Sequence, residues 1–197
     1  MNYLAHLMLS GDNLDMQVGG LLGDFVKGPL RGSYPESIEH GIRLHRQIDT
    51  LTDTLPQVSQ LFTLFEAPWR RYAGIVVDIA FDHLLTLRWH QLNTQALPDF
   101  CAAFYQHLGR CHDLLPEAAQ CFSERTTQIK WLESYGDPEI IPTILSRTGQ
   151  RLRRPVALES AWPHVLEHFD LFEEAFDSTI TELHAHSASY IREHSIS

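Results

Sequence analysis

In the stretch RLHRQID, His45 and Asp49 stand four residues apart within an otherwise ordinary helical pattern. An imidazole and a carboxylate at that spacing project from one helix face and can converge on a single object. Alone, such a pair is a surface contact worth only ~0.2–0.5 kcal/mol. It gains meaning from other polar residues that interrupt apolar helix faces. His6 lies among leucines in YLAHLML, with Asn2 one turn before it on the same face. Asp24, in LLGDFVKG, falls at the C-terminal end of a helical pattern, where the backbone dipole disfavours an anion. Asp78 stands between Val77 and Ile79 in GIVVDIAFDHLL, the segment expected to be most buried. A carboxylate there is costly unless it is paired, hydrogen-bonded or bound to metal. Together these residues supply two imidazoles and three carboxylates on four helices. Mn²⁺, Mg²⁺ and Fe²⁺ accept that mixed nitrogen and oxygen set, and the lack of a cysteine ligand argues against structural zinc. The expectation is a metal centre inside a helical bundle.

Helix geometry sorts the neighbours of these residues. Asp82 shares the face of Asp78, as a second ligand or as a group that orients one. His83 is turned away by roughly 140° and suits the mouth of the site, as phosphate partner or proton donor, or simply packs. Asp53, four residues after Asp49, raises the same choice between ligand and outer shell. Basic residues accompany the set: Lys27 and Arg31 after Asp24, Arg43 and Arg46 around His45, Arg70 and Arg71 before Asp78. As a group they suggest a local positive rim on an acidic protein, and arginine binds phosphate oxygens in bidentate fashion.

The elements that must hold these residues are helical. Between turn signals at Gly11-Asp12, residues 27–32, Pro56, Pro68, Pro98, Pro116, residues 136–138 and 153–155, apolar residues recur with helical spacing and without the alternation of half-buried strands. Helices are expected over about 2–9, 13–26, 35–54, 69–92, 98–113, 117–133, 138–147 and 160–193. Pro35 falls in the first turn of the third, and Pro56 lies beyond its end. Neither a repeat nor a linker is evident, so residues 1–197 read as one all-α domain, a single multi-helix bundle.

Composition narrows the function classes. A chain of 197 residues that is 44% hydrophobic can build one sizeable core. The net charge of -10 argues against broad binding to nucleic acid, which needs a basic footprint. No apolar run approaches a membrane span, and the N-terminal segment lacks the basic region and cleavage site of a signal peptide. Cys101, Cys111 and Cys121 include no CxxC pair and read as reduced thiols of a cytoplasmic protein.

Four blocks in register, MNYLAHLMLS, GGLLGDFVKG, LHRQIDTLTDTLP and DIAFDHLLTLRW, resemble the acyl carrier protein phosphodiesterase family. The resemblance is densest over residues 1–90. It implies an HD-domain-like, all-helical, metal-dependent phosphohydrolase with Mn²⁺ preferred. The implied reaction cleaves the phosphodiester between 4'-phosphopantetheine and a serine of holo-acyl carrier protein. HD-domain enzymes use adjacent His-Asp residues as ligands, whereas here His45 and Asp49 have a turn between them and Asp82-His83 stand in reverse order. On this reading His6, Asp24, Asp49 and Asp78 lead as metal ligands, with His45 a ligand or a neighbour of the phosphate. The metal activates a water for attack on phosphorus, and His83 protonates the departing serine oxygen. Lys27, Arg43 and Arg46 stabilise negative charge on the phosphate, and Asn2, Asp53 and Asp82 belong to an outer shell. Because the carrier protein is acidic, docking is assigned to Lys27, Arg31, Arg70 and Arg71, with Phe65, Trp69 and Tyr72 as apolar anchors. Two alternatives are a phosphohydrolase of nucleotides or other small phosphate esters, and a non-catalytic helical module that binds acyl carrier protein.

Overall fold

Asp82 and Asn13 show how the N-terminal half of the chain is tied together in the computed structural model, which describes residues 2–194, with the backbone alone at 127. Residues 1 and 195–197, the ends of the expected domain, lie outside the described residues. The first helix, α1 (Tyr3–Leu9), has no cap from its own N-cap side chain. Its first backbone N–H groups are satisfied instead by a buried carboxylate from a distant helix: Leu4 donates to Asp82 Oδ2 at 3.0 Å and Ala5 to Oδ1 at 3.3 Å. Helix α2 (Leu14–Leu22) is capped locally, the Asn13 side chain accepting from the Met16 N–H at 3.0 Å.

Helix α3 (Glu36–Thr54) runs as the sequence suggests, with Pro35 at its N-cap. It meets α2 at unusually close range. A methyl group on Gly19 would overlap the Ile38 carbonyl oxygen, and one on Gly41 would overlap that of Met16. Only glycine at both positions lets the two backbones touch. The second expected helix stops at Leu22, four residues short, and residues 23–34 form an irregular strap that carries Asp24.

Pro56 does more than end α3. It occupies the first turn of a short helix, α4 (Pro56–Phe62), because its missing N–H costs nothing there. Helix α5 (Ala73–Leu92) follows a 3₁₀ turn at Trp69–Tyr72, and its buried residues include Val76, Val77, Phe81, Leu84 and Leu85. It is apolar around most of its circumference, as a central helix should be.

The C-terminal half comprises α6 (Leu97–Arg110), α7 (Glu117–Gln128), α8 (Trp131–Ser134), α9 (Ile141–Gln150), α10 (Trp162–Glu167) and α11 (Phe169–Glu193). The single helix expected over 117–133 is broken at Lys130, whose φ of 47° is left-handed. The last expected helix is divided at His168 into α10 and the long α11. That helix packs on α1, α3, α4 and α5, and the buried Ser187 hydroxyl donates to the Leu9 carbonyl at 2.6 Å. Among the described residues there is no strand, and the buried apolar residues form one cluster.

If the α2–α3 contact sets the fold, Gly19→Ala lowers stability by about 3 kcal/mol, since backbone atoms cannot yield as side chains do. Gly109→Ala has open space around it and leaves stability unchanged or raised by less than about 1 kcal/mol. Denaturant midpoints of the two variants check this.

Candidate metal centre and its cleft

His6 from α1 and His45 from α3 are both buried, with side-chain exposures of 2% and 4%, and their rings stack with centroids 3.8 Å apart. Asp49, one turn after His45, lies between them and the solvent. Its Oδ1 is 3.1 Å from His6 Nε2 and its Oδ2 is 3.2 Å from His45 Nε2. Asp24 approaches from the strap, its Oδ1 3.8 Å from His45 Nε2. The aspartate side chains are each 46% exposed, so the cluster is closed behind the imidazoles and open in front.

The fold sets the tautomer of His45. Its Nδ1 lies 2.7 Å from the Gly20 carbonyl oxygen, which can only accept, so Nδ1 carries a proton and Nε2 is the nitrogen turned towards the carboxylates. Histidines that ligate metals are commonly oriented in this way. Gly23 is required for the same ring, because a Cβ at that position would overlap it. Burial lowers the His6 pKa to about 4 against the upward pull of Asp49, so this imidazole is neutral at neutral pH. Burial pushes the Asp49 carboxyl up, but hydrogen bonds with His45 and His6 outweigh it and hold the group well below the usual carboxylate range. The donor set fits a divalent cation: one atom each from His6, His45 and Asp49 lies within 4.8 Å of the others.

The cluster opens into a cleft of about 1160 Å³. Asp24, Asp49, Asp53 and Asp78 line it together with Phe122 and Trp131, which pack on Tyr3, and with Ile140 and Ile144. Asp78 is half-buried at the cleft wall and not in the packed core, because the helices after residue 115 stand back from this face of α5. Burial and the neighbouring Asp78 raise the Asp53 pKa.

Other expected residues stand elsewhere. Asp82 faces the start of α1, where it fixes the helix that carries His6. His83 is not on the cleft lining. Its Nδ1 donates to the Tyr135 carbonyl at 2.7 Å and its ring packs against Trp162 and Phe169. Tyr135 does line the cleft, and its hydroxyl accepts from Asn2 Nδ2 at 2.6 Å. Arg43 pairs with Glu39 at 2.6 Å, and Arg46 donates to the Val26 carbonyl at 2.8 Å, bracing the strap. Lys27 is exposed and off the lining.

The expected docking residues are dispersed in role. Arg31 is exposed on the strap. Arg70 donates to the Phe62 carbonyl at 2.8 Å, and Arg71 lies over the Tyr72 ring. Phe65 is buried, and Trp69 donates to the Ala157 carbonyl. The arginines that do line the cleft are Arg125 on α7 and Arg147 and Arg151 at the end of α9. Sequence reading passed over them. The available signal was the four-residue spacing of Arg147 and Arg151, which puts both on one face. Tyr3 was also missed; it lines the cleft with its hydroxyl beside Asp24, and burial followed by that carboxylate pushes its pKa up.

His6 and Asp82 pull the pH dependence of stability in opposite directions. For His6 the folded value, about 4, lies below the ordinary 6.5, so its contribution is full above that range and is lost as pH falls through it. For Asp82, burial raises the carboxyl to about 7 against the two backbone N–H groups, so its penalty grows as pH rises from 3.8 towards 7. Between pH 7 and 5 each amounts to about 2 kcal/mol with opposite sign. The two largely cancel in the metal-free wild type, leaving the loss on acidification that His40 and His83, also lowered by burial, contribute. Relative to wild type, His6→Asn should shift towards gaining stability on acidification and Asp82→Asn towards losing more, as read by urea unfolding at both pH values.

Comparison with known proteins adds a chain-wide observation. Residues 1–183 match the family model described as acyl carrier protein phosphodiesterase. A Salmonella agona (strain SL483) protein named acyl carrier protein phosphodiesterase is 37% identical over 182 residues, covering 89% of this chain and 92% of its own. A Yersinia pestis protein of the same name is 34% identical over 177 residues with the same coverage. No solved structure shows a significant match. The matched span takes in α7 and α9 as well as the N-terminal blocks.

Proposed function

The chain belongs to the acyl carrier protein phosphodiesterase family, and from that premise we propose that it hydrolyses the phosphodiester joining 4'-phosphopantetheine to the serine of holo-acyl carrier protein, releasing the apo protein. The observation that carries this reading at the level of the site is the His6–Asp49–His45 cluster, open to a cleft large enough for a small-molecule arm. His6, His45 and Asp49 would hold a divalent cation, Mn²⁺ by preference and Mg²⁺ or Fe²⁺ as substitutes, with Asp24 and Asp78 of the cleft lining as further candidate ligands. When bound, such an ion supplies a water of lowered pKa and polarises a phosphoryl oxygen.

The residues of the chain prepare that chemistry. The Gly20 carbonyl holds the His45 Nδ1 proton and so keeps Nε2 available. Burial keeps His6 neutral, and Asp49 spans both imidazoles as a carboxylate. His83 donates to the Tyr135 carbonyl and lies off the cleft lining, which favours a part in fixing that segment over the proton-donor part expected for it. The Tyr3 hydroxyl retains its proton at neutral pH and donates within the cleft. Aromatic and aliphatic side chains of the cleft lining exclude water around the pantetheine arm.

The protein acts in the cytoplasm on a protein partner, with neither nucleic acid nor membrane involved. Three free thiols and a net charge of -10 accord with this, and no helix among the described residues is long and apolar enough to cross a membrane. The likeness to HD-domain enzymes rests on helical class, since His45 and Asp49 stand a turn apart.

The test is to incubate metal-stripped protein with holo-acyl carrier protein, with and without Mn²⁺, and to follow the carrier protein by intact-mass spectrometry. Loss of phosphopantetheine only with metal is expected. Asp49→Ala and His45→Ala should lower the rate more than about 100-fold, the upper range for groups that merely support a ligand. Unchanged carrier protein with every divalent ion, alongside turnover of small phosphodiesters, would transfer the assignment to the small-ester alternative.

A further inference from the structure

Charge in the cleft is segregated. Its acidic lining, Asp24, Asp49, Asp53 and Asp78, comes from the strap, α3 and α5, whereas its basic lining, Arg125, Arg147 and Arg151, comes from α7 and α9. These arginines differ from others nearby. Arg43, Arg46, Arg70 and Arg88 are committed to Glu39, the Val26 carbonyl, the Phe62 carbonyl and Glu173. Among the described residues, Arg125, Arg147 and Arg151 form no ion pair, and all three are exposed. Arg147 and Arg151 stand one turn apart, and the backbone at Arg151 is still helical, so their guanidinium groups share a face.

Arg151 is within electrostatic reach of Tyr3, beside the metal cluster. Tyr3 feels the field of Asp24 and, with opposite sign, that of Arg151. Asp24 in turn approaches His45 Nε2 at 3.8 Å. Each arginine also offsets the dipole at the C-terminal end of its helix, an effect of at most about 1 kcal/mol. That effect does not require two helices to present their cations to one cavity.

We propose that Arg125, Arg147 and Arg151 form a phosphate-binding subsite opposite the His6–Asp49–His45 cluster, gripping the oxygens of a phosphate ester whose uncharged arm lies along Phe122 and Trp131. The identity of that ester as 4'-phosphopantetheine rests on the phosphodiesterase reading; the subsite itself rests on the arginines. Their fork-shaped donors match phosphate oxygens in bidentate fashion, gripping those that face away from the metal cluster and leaving the others turned towards it. The subsite holds the phosphoryl group before cleavage and the phosphate monoester after it.

The experiment compares binding of 4'-phosphopantetheine and of pantetheine, which lacks the phosphate, to the metal-free full chain by isothermal titration calorimetry. Wild type should prefer the phosphorylated molecule by more than about tenfold. Arg147→Gln and Arg151→Gln should each weaken its binding about tenfold and leave pantetheine binding unchanged. Arg151→Lys, which keeps charge but loses the fork, should fall between, and Arg110→Gln, outside the cleft, should match wild type. Equal binding of both molecules by wild type, or an undiminished phosphate preference in the variants, overturns the subsite. So does a raised KM for holo-acyl carrier protein with unaltered phosphopantetheine affinity, which assigns the arginines to the protein surface of the substrate. Turnover measured on the same preparations separates the two ideas: cleavage without arginine-dependent phosphate preference defeats only the subsite. Arginine-dependent preference without cleavage upholds the subsite and defeats only the carrier protein reading.

Discussion

The backbone contact between α2 and α3 is the constraint on which the site depends. Because Gly19 and Gly41 carry no side chain, the helices approach until the Gly20 carbonyl reaches the His45 imidazole. That one hydrogen bond selects the tautomer and aims Nε2. Gly23, one turn on, leaves room for the ring itself. A larger residue at Gly23 would displace the His45 imidazole directly, and one at Gly19 or Gly41 would push the two helix backbones apart. The strap between the helices is then free to deliver Asp24 and is braced by Arg46 through the Val26 carbonyl.

Electrostatics complete what packing begins. Buried and stacked on His45, the His6 imidazole resists protonation, and the partly exposed Asp49 remains ionised beside both rings. A neutral His6 imidazole and an ionised Asp49 suit a divalent ion, since ligands must be deprotonated before they bind. The cost is a carboxylate-rich wall in an already acidic protein, and the arginines of α7 and α9 face that wall across the cleft.

Much of this was legible locally and some of it was not. The all-helical class followed from apolar spacing, and His6, His45 and Asp49 stood out because they interrupt apolar faces at helical intervals. The depth of Asp78 was misjudged because the depth of a residue on an apolar helix depends on which neighbours stand back, and that is a tertiary property. Arg43 and Arg46 were chosen for closeness in sequence to His45, but offsets of two residues back and one forward turn them to other faces. His83 leaves the site by the same rotation. Arg125, Arg147 and Arg151 are not legible locally, because only the packing of α9 on α5 and of α7 on α6 and α8 brings them to the cleft. Helix α4 was missed because a proline that closes one helix can also open the next.

The capping of α1 by Asp82 has a mechanical meaning. A helix of seven residues has little stability of its own, and this one is bolted through its first N–H groups to the middle of α5. Asp78 sits one turn earlier on that same rod. His6 and Asp78, far apart along the chain, therefore travel as parts of one stiff body, and any breathing of the cleft that spares the cap leaves their spacing unchanged.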